Sequence, residues 1–144
     1  MTVLKTSCIA ALLLLPACAT APGQGPLNAN DTLTGRWANG EPGSRCVERF
    51  DFKPDGSLLY VSGGGARIEG TFELSARPTG RGLHVLVMKV TRSSGGNDCA
   101  GNVREEGEGA ISVSYVWIDA RKEMLLPCAE DNYDFCDIPL RRVR

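Results

Sequence analysis

Six cysteines and a single histidine are the side chains of this 144-residue sequence with the widest chemical reach. The cysteines stand at positions 8, 18, 46, 99, 128 and 136, and no two form the Cys-x-x-Cys pair through which thiolates commonly share a zinc ion. His84 is the only imidazole, so a metal site built on several histidines is excluded, and a Ser-His-Asp arrangement would have to run through that one residue. No nucleophile sits at a recognisable distance from a base, and the chain is not expected to be an enzyme. Ser62-Gly63-Gly64-Gly65 lacks the Gly-Lys-Ser/Thr ending of a phosphate-binding loop. Glu130, Asp131, Asp134 and Asp137 offer carboxylate oxygens of the kind calcium takes, but not at the spacing of a calcium loop, so a solvated polar link is the expectation. Catalytic residues, metal ligands and cofactors are all expected to be none.

The amino terminus has a different kind of chemistry. Met1 and Lys5 supply positive charge, residues 8–15 are apolar apart from the cysteine, and small residues flank Cys18. That order is the layout of a secretory signal peptide. A spanning helix needs about 20 apolar residues, and this run ends at Pro16. Leu15-Pro16-Ala17-Cys18 resembles the lipobox of bacterial lipoproteins. The resemblance implies a signal peptide over 1–17, cleavage before Cys18, and a lipid anchor on that cysteine that palmitate would label. Ala19 after the cysteine is similar to the class retained at the outer membrane, facing the periplasm of a diderm host. Cleavage after Ala19, or after Ala21 with Pro22 unfavourably next to the cut, is the alternative and would give a plain secreted protein. Residues 18–31 hold Pro22, Gly23, Gly25 and Pro26 and too little apolar surface to repay ordering, so they are read as a tether of about 20 Å.

The domain is expected over residues 32–144. Lys and Arg number 16 against 17 Asp and Glu, a balance without the basic excess that nucleic acid requires, and no nucleic-acid partner is expected. Its hydrophobic period is two. Ala66, Ile68, Gly70, Phe72 and Leu74 alternate with charged and polar residues, which predicts a half-buried strand. Ile111, Val113, Tyr115 and Trp117 are read as the core face of another strand, with Val116 and Ile118 suggesting that its second face is partly covered. Eight strands are predicted, over 33–38, 46–53, 57–62, 66–74, 83–92, 111–118, 123–128 and 137–143. Residues 119–126 are the one plausible helix, or else a hairpin turn. Short links such as Lys53-Pro54-Asp55-Gly56 suit antiparallel neighbours. The expected fold is all-β, a small eight-stranded up-and-down barrel that closes to remove its edges, with a β-sandwich as second choice.

With Cys8 removed and Cys18 lipidated, Cys46, Cys99, Cys128 and Cys136 remain, an even set in an exported chain, and two disulfides are expected. A meander places all four at one end of the barrel. Strand eight closing on strand one favours Cys46 with Cys136 and Cys99 with Cys128; Cys46 with Cys99 and Cys128 with Cys136 is the next pairing.

Leu33-Thr34-Gly35-Arg36-Trp37, then Phe50-Asp51-Phe52-Lys53-Pro54-Asp55-Gly56, then Gly70-Thr71-Phe72 resemble the opening half of lipocalin-like small barrels. The resemblance implies that a basic residue near the chain end covers Trp37 through a cation-π contact, and Arg142 is placed for it. The functional expectation is a monomeric, non-catalytic binding module for a small apolar ligand or an envelope partner, with Tyr60, Phe72, Tyr115 and Trp117 in or beside a cavity. Ser62-Gly63-Gly64-Gly65-Ala66-Arg67 is similar to the loop of membrane-bound inhibitors of c-type lysozyme. That second resemblance implies an inhibitor of lysozyme or another envelope hydrolase, with Ser62 as the inserted residue and Arg67 beside it.

Overall fold

Strands with one apolar face must bury that face, and in this chain they do so by closing on themselves. The structure is a computed structural model that describes residues 29–40 and 43–144; the signal segment 1–17, Cys18 and the tether residues 19–28 lie outside the described residues. A short helix α1 (Ala29–Leu33) is followed by β1 (Gly35–Ala38), β2 (Glu48–Phe52), β3 (Ser57–Ser62), β4 (Arg67–Leu74), β5 (His84–Ser93), β6 (Ile111–Ile118), β7 (Met124–Cys128) and β8 (Leu140–Val143). The strands pair antiparallel in sequence order, and β8 returns to β1 to close an eight-stranded barrel. No edge is left unpaired for another chain to extend.

The turns are set by local chemistry. Gly56 takes a φ of 81° in the β2–β3 turn, a left-handed conformation that costs glycine nothing. The Asp55 carboxylate accepts from the Ser57 hydroxyl at 2.7 Å and from the Ser57 backbone N–H at 2.9 Å, and those two bonds hold its pKa below the ordinary value. Residues 119–123 form a turn, and their continuation is β7 rather than a helix. Asp119 accepts backbone N–H bonds from Met124 and Glu123 at 2.7 and 2.6 Å, which lower its pKa and tie the turn shut.

At the α1 end the interior is solid. Leu33, Trp37, Phe52 and Phe72 are buried, and the rings of Phe52 and Phe72 meet edge to face at 4.8 Å. The Trp37 indole N–H donates to the Leu33 carbonyl at 2.8 Å. Arg142 lies 4.3 Å over the indole ring and donates to the carbonyls of Lys122, Thr34 and Thr32. This is the cover over Trp37 that the resemblance implied. Gly35 has a φ of 129°, and a Cβ there would collide with the Arg142 guanidinium. Ala29 to Asp31, read from sequence as the end of the tether, are instead helical. Their anchor is Asn30, whose side chain accepts from the Leu74 N–H at 2.9 Å and donates to the Phe72 carbonyl at 3.4 Å.

Two expectations are corrected. Cys46 is bonded to Cys99 and Cys128 to Cys136, so the pairings Cys46 with Cys136 and Cys99 with Cys128 are replaced. The reason is where β8 begins. Its first residue is Leu140 rather than Asp137, and Cys136 therefore stays beside Cys128, with which it makes a bridge pair, instead of reaching β1. Meanwhile the long β5–β6 link folds over the β3–β4 turn, Ala66 N–H donating to the Asn97 carbonyl at 3.1 Å, and this delivers Cys99 to Cys46.

The second correction concerns β6. Ser112, Ser114 and Val116 lie opposite Met88, Leu86 and His84 on the inner face, and Ile111, Val113, Tyr115 and Trp117 point outward. A one-residue shift in reading exchanges the two faces of a strand. Here both faces carry apolar residues, so alternation alone does not decide between them. The β7–β8 link reaches the β4–β5 link. Thr79 Oγ1 donates to Asp131 at 2.7 Å, and the Tyr133 hydroxyl to the Arg81 carbonyl at 3.3 Å.

Candidate functional site

Strand alternation carries the inner apolar set up the barrel from the α1 end, but beyond Phe52 and Leu58 the side chains no longer fill the space between opposite walls. A cavity of about 660 Å³ results, within the size range of sites for small organic ligands. Its floor is Phe52, Leu58, Leu86, Val116, Leu125 and Leu140, all buried. Phe50, Tyr60, Ile68 and Met88 form the wall, with Phe50 and Tyr60 tilted together at 4.9 Å. Ser112 and Ser114 bring hydroxyls to the opposite wall.

The rim is polar and built from the links at the far end. Glu48 accepts from the Tyr60 hydroxyl at 3.0 Å, from Asn39 Nδ2 at 3.0 Å and from the Cys99 backbone N–H at 3.2 Å. Burial, and then the neighbouring Glu48 charge, push the Tyr60 pKa up to about 12, so its proton stays on and the phenol donates. Asp98 accepts from the Asn102 side chain at 3.1 Å, from the backbone N–H groups of Asn102 and Ala100, and from Arg104 Nε at 3.2 Å. The Asn102 bonds and the Arg104 charge lower its pKa. Arg104 also reaches Glu106 Oε1 at 3.3 Å. Covalent closure comes from Cys46–Cys99, which binds the β1–β2 link to the β5–β6 link across a sequence separation of 53.

Of the four aromatic residues expected at a cavity, Tyr60 lines it. Phe72 lies in the solid core at the α1 end, and Tyr115 and Trp117 are on the outer wall because β6 presents its other face. The residues that sequence reasoning missed fall into two groups. Phe50 and Phe52 carried a signal, since Glu48, Phe50 and Phe52 alternate through β2. Asn39, Arg104 and Glu106 carried none, because they sit in links without period.

Ser62 is 4 % exposed, its hydroxyl accepting from the Gly64 N–H at 3.0 Å and lying 3.6 Å from Cys99 Sγ and 3.8 Å from Cys46 Sγ. It underpins the disulfide and has no access to a partner's cleft. The glycines after it answer a steric need. A Cβ on Gly64 would come 2.5 Å from the Asn97 carbonyl oxygen, and one on Gly63 3.2 Å from the Cys46 Cα. Arg67 begins β4 on the outside and pairs with Glu69 at 2.9 Å. His84 Nδ1 is 2.8 Å from the Ser75 carbonyl and bridges the β4–β5 link. Among the described residues no group of His, Cys, Asp and Glu is placed to hold a metal ion, and no helix is long and apolar enough to cross a membrane. No protein family, no curated protein and no solved structure matches the chain.

Proposed function

We propose that this protein is a lipid-anchored binding protein of the cell envelope that takes a small, largely apolar molecule into its barrel without transforming it. The cavity carries this reading. It has an apolar floor, an aromatic wall and a few polar groups gathered at one end, the composition typical of sites that bind by burial and orient by hydrogen bonds. Anchorage rests on the lipobox-like Leu15-Pro16-Ala17-Cys18, and the two disulfides suit an oxidising compartment such as the periplasm. The inhibitor reading gains no observation, because its inserting residue, Ser62, is buried.

Titration with N-phenyl-1-naphthylamine, whose emission rises in apolar surroundings, tests the cavity. Saturable binding of one dye per chain is expected, together with its loss in Met88→Trp, where an indole occupies the space. Equal binding by that variant, or none by the parent protein, ends the proposal. The anchor is tested separately. Cys18→Ala should move the protein to soluble fractions and remove labelling by radioactive palmitate, and persistent labelling would refute it.

A further inference from the structure

We infer that Cys46–Cys99 is a thiol-exchange site: a dithiol reductant opens this bridge, leaves Cys128–Cys136 intact, and thereby loosens one side of the cavity rim and speeds ligand exchange. This rests on the reading of the cavity as a ligand site and adds its regulation.

The first observation is the placing of the two bridges. Cys128 is 1 % exposed and Cys136 half-buried, and their bridge closes a separation of only 8 beside β7. Cys99 is exposed and lines the cavity, and Cys46 is half-buried. An attacking thiolate must reach a sulfur to exchange with it. Gly63 lies against Cys46, where a Cβ would stand 3.3 Å from Sγ, so the approach is to Cys99.

The second observation is what the bridge holds. Asp98, Asn102, Arg104 and Glu106 line the cavity, and the side-chain bonds of Asp98 and the ion pairs of Arg104 stay inside the β5–β6 link. Toward β2, among the described residues, this stretch is joined by the Cys99 N–H to Glu48 at 3.2 Å and by the disulfide. Opening the bridge leaves that junction to one hydrogen bond.

The third is a hydroxyl beside the sulfurs. Ser62 Oγ accepts from the Gly64 N–H and lies 3.6 Å from Cys99 Sγ and 3.8 Å from Cys46 Sγ. A disulfide sulfur carries no proton, so the hydroxyl is the donor, and a donor at the departing sulfur stabilises it as a thiolate. A reductant thiolate bonds to Cys99 Sγ as the Cys46–Cys99 bond breaks, and Cys46 departs with the electron pair and takes up a proton. The second thiolate of the reductant then attacks its partner sulfur in the mixed disulfide and frees Cys99, which is protonated in turn. Two electrons have passed, leaving two thiols on this chain and a disulfide on the reductant.

Limiting dithiothreitol, alkylation with iodoacetamide and peptide mass spectrometry test the site on the exported protein carrying Cys18→Ala. Cys46 and Cys99 are expected to be alkylated about tenfold faster than Cys128 and Cys136, and glutathione, a monothiol, should be trapped on Cys99. Selective reduction should speed dissociation of N-phenyl-1-naphthylamine about tenfold, the loss of one hydrogen bond to a charged group at the loosened junction, with the far-ultraviolet circular dichroism retained. The paired variant Cys46→Ser with Cys99→Ser should release the dye at the fast rate with or without reductant, whereas Cys128→Ser with Cys136→Ser should keep the response. Equal reduction of the two bridges, a dye release unchanged by opening Cys46–Cys99, or loss of the β-sheet signal on that opening each overturns the inference while leaving the cavity a ligand site. Failure of the dye to bind the oxidised protein removes the broader reading.

Discussion

At the α1 end of the barrel, Leu33, Trp37, Phe52 and Phe72 fill the interior and Arg142 is bonded over the indole by three carbonyls. At the other end the same eight strands enclose about 660 Å³ of unfilled space, bordered by Glu48, Tyr60, Asp98 and Arg104 and fastened by Cys46–Cys99. Burial of large rings is what holds the first end together. The second gives up that burial, so its shape has to be maintained by hydrogen bonds and a covalent link. A small barrel can leave room for a ligand when its stability is concentrated at one end and its opening is held by chemistry that does not require a filled core.

If that division is correct, substitutions at the two ends should differ in size and in kind. The largest effect is expected for Trp37→Ala, which should lower the unfolding free energy by roughly 3 to 5 kcal/mol, as for other buried aromatic truncations. Urea unfolding measures it, and a loss under about 1 kcal/mol would break the comparison. Next come the bridges. Loop-closure entropy predicts roughly 4 kcal/mol for removing Cys46–Cys99 as a paired serine variant, against roughly 2.5 kcal/mol for Cys128–Cys136, whose separation is 8. The first pair should also make the β5–β6 link sensitive to protease while the barrel persists. If both bridges behave alike, the rim does not depend on its covalent link.

A smaller loss, about 1 to 2 kcal/mol, is expected for Arg142→Lys. Lysine keeps the charge over Trp37 but cannot donate to three carbonyls at once. The mildest test is spectroscopic. Tyr60 should ionise near pH 12, read as phenolate absorbance that disappears in Tyr60→Phe. Its folded pKa is raised above the ordinary value of 10, so the stability it contributes is present below pH 10 and is lost as pH rises toward 12. Glu48→Gln should bring that ionisation down only part of the way, because burial is the larger cause and the Glu48 charge the second.

The solid end was more legible in the sequence than the open one. β3 and β6 begin and end where alternation places them, and the partnership of Trp37 with Arg142 followed from a resemblance carried by Gly35-Arg36-Trp37. The facing of β6 was not legible, because Tyr115 and Trp117 alternate with Val116 and Ile118 and only its register with β5 decides which set is inside. α1 was missed because its docking depends on one side chain, Asn30, and on Leu33 rather than on a periodic face. The rim was beyond reach of pattern altogether. Asp98, Arg104 and Glu106 share a rim with Glu48 only because the β5–β6 link is carried to the β1–β2 and β3–β4 links by Cys46–Cys99 and by the bond from Ala66 to Asn97, a path that no local preference encodes.

The docking of α1 on the end of β4 also fixes a direction. The chain enters the barrel at its plugged end, through Asn30 bonded at Phe72 and Leu74, while the opening lies at the opposite pole. On the proposed anchorage through Cys18, the chain would therefore join the barrel at its filled pole and leave the opening at the pole away from that junction.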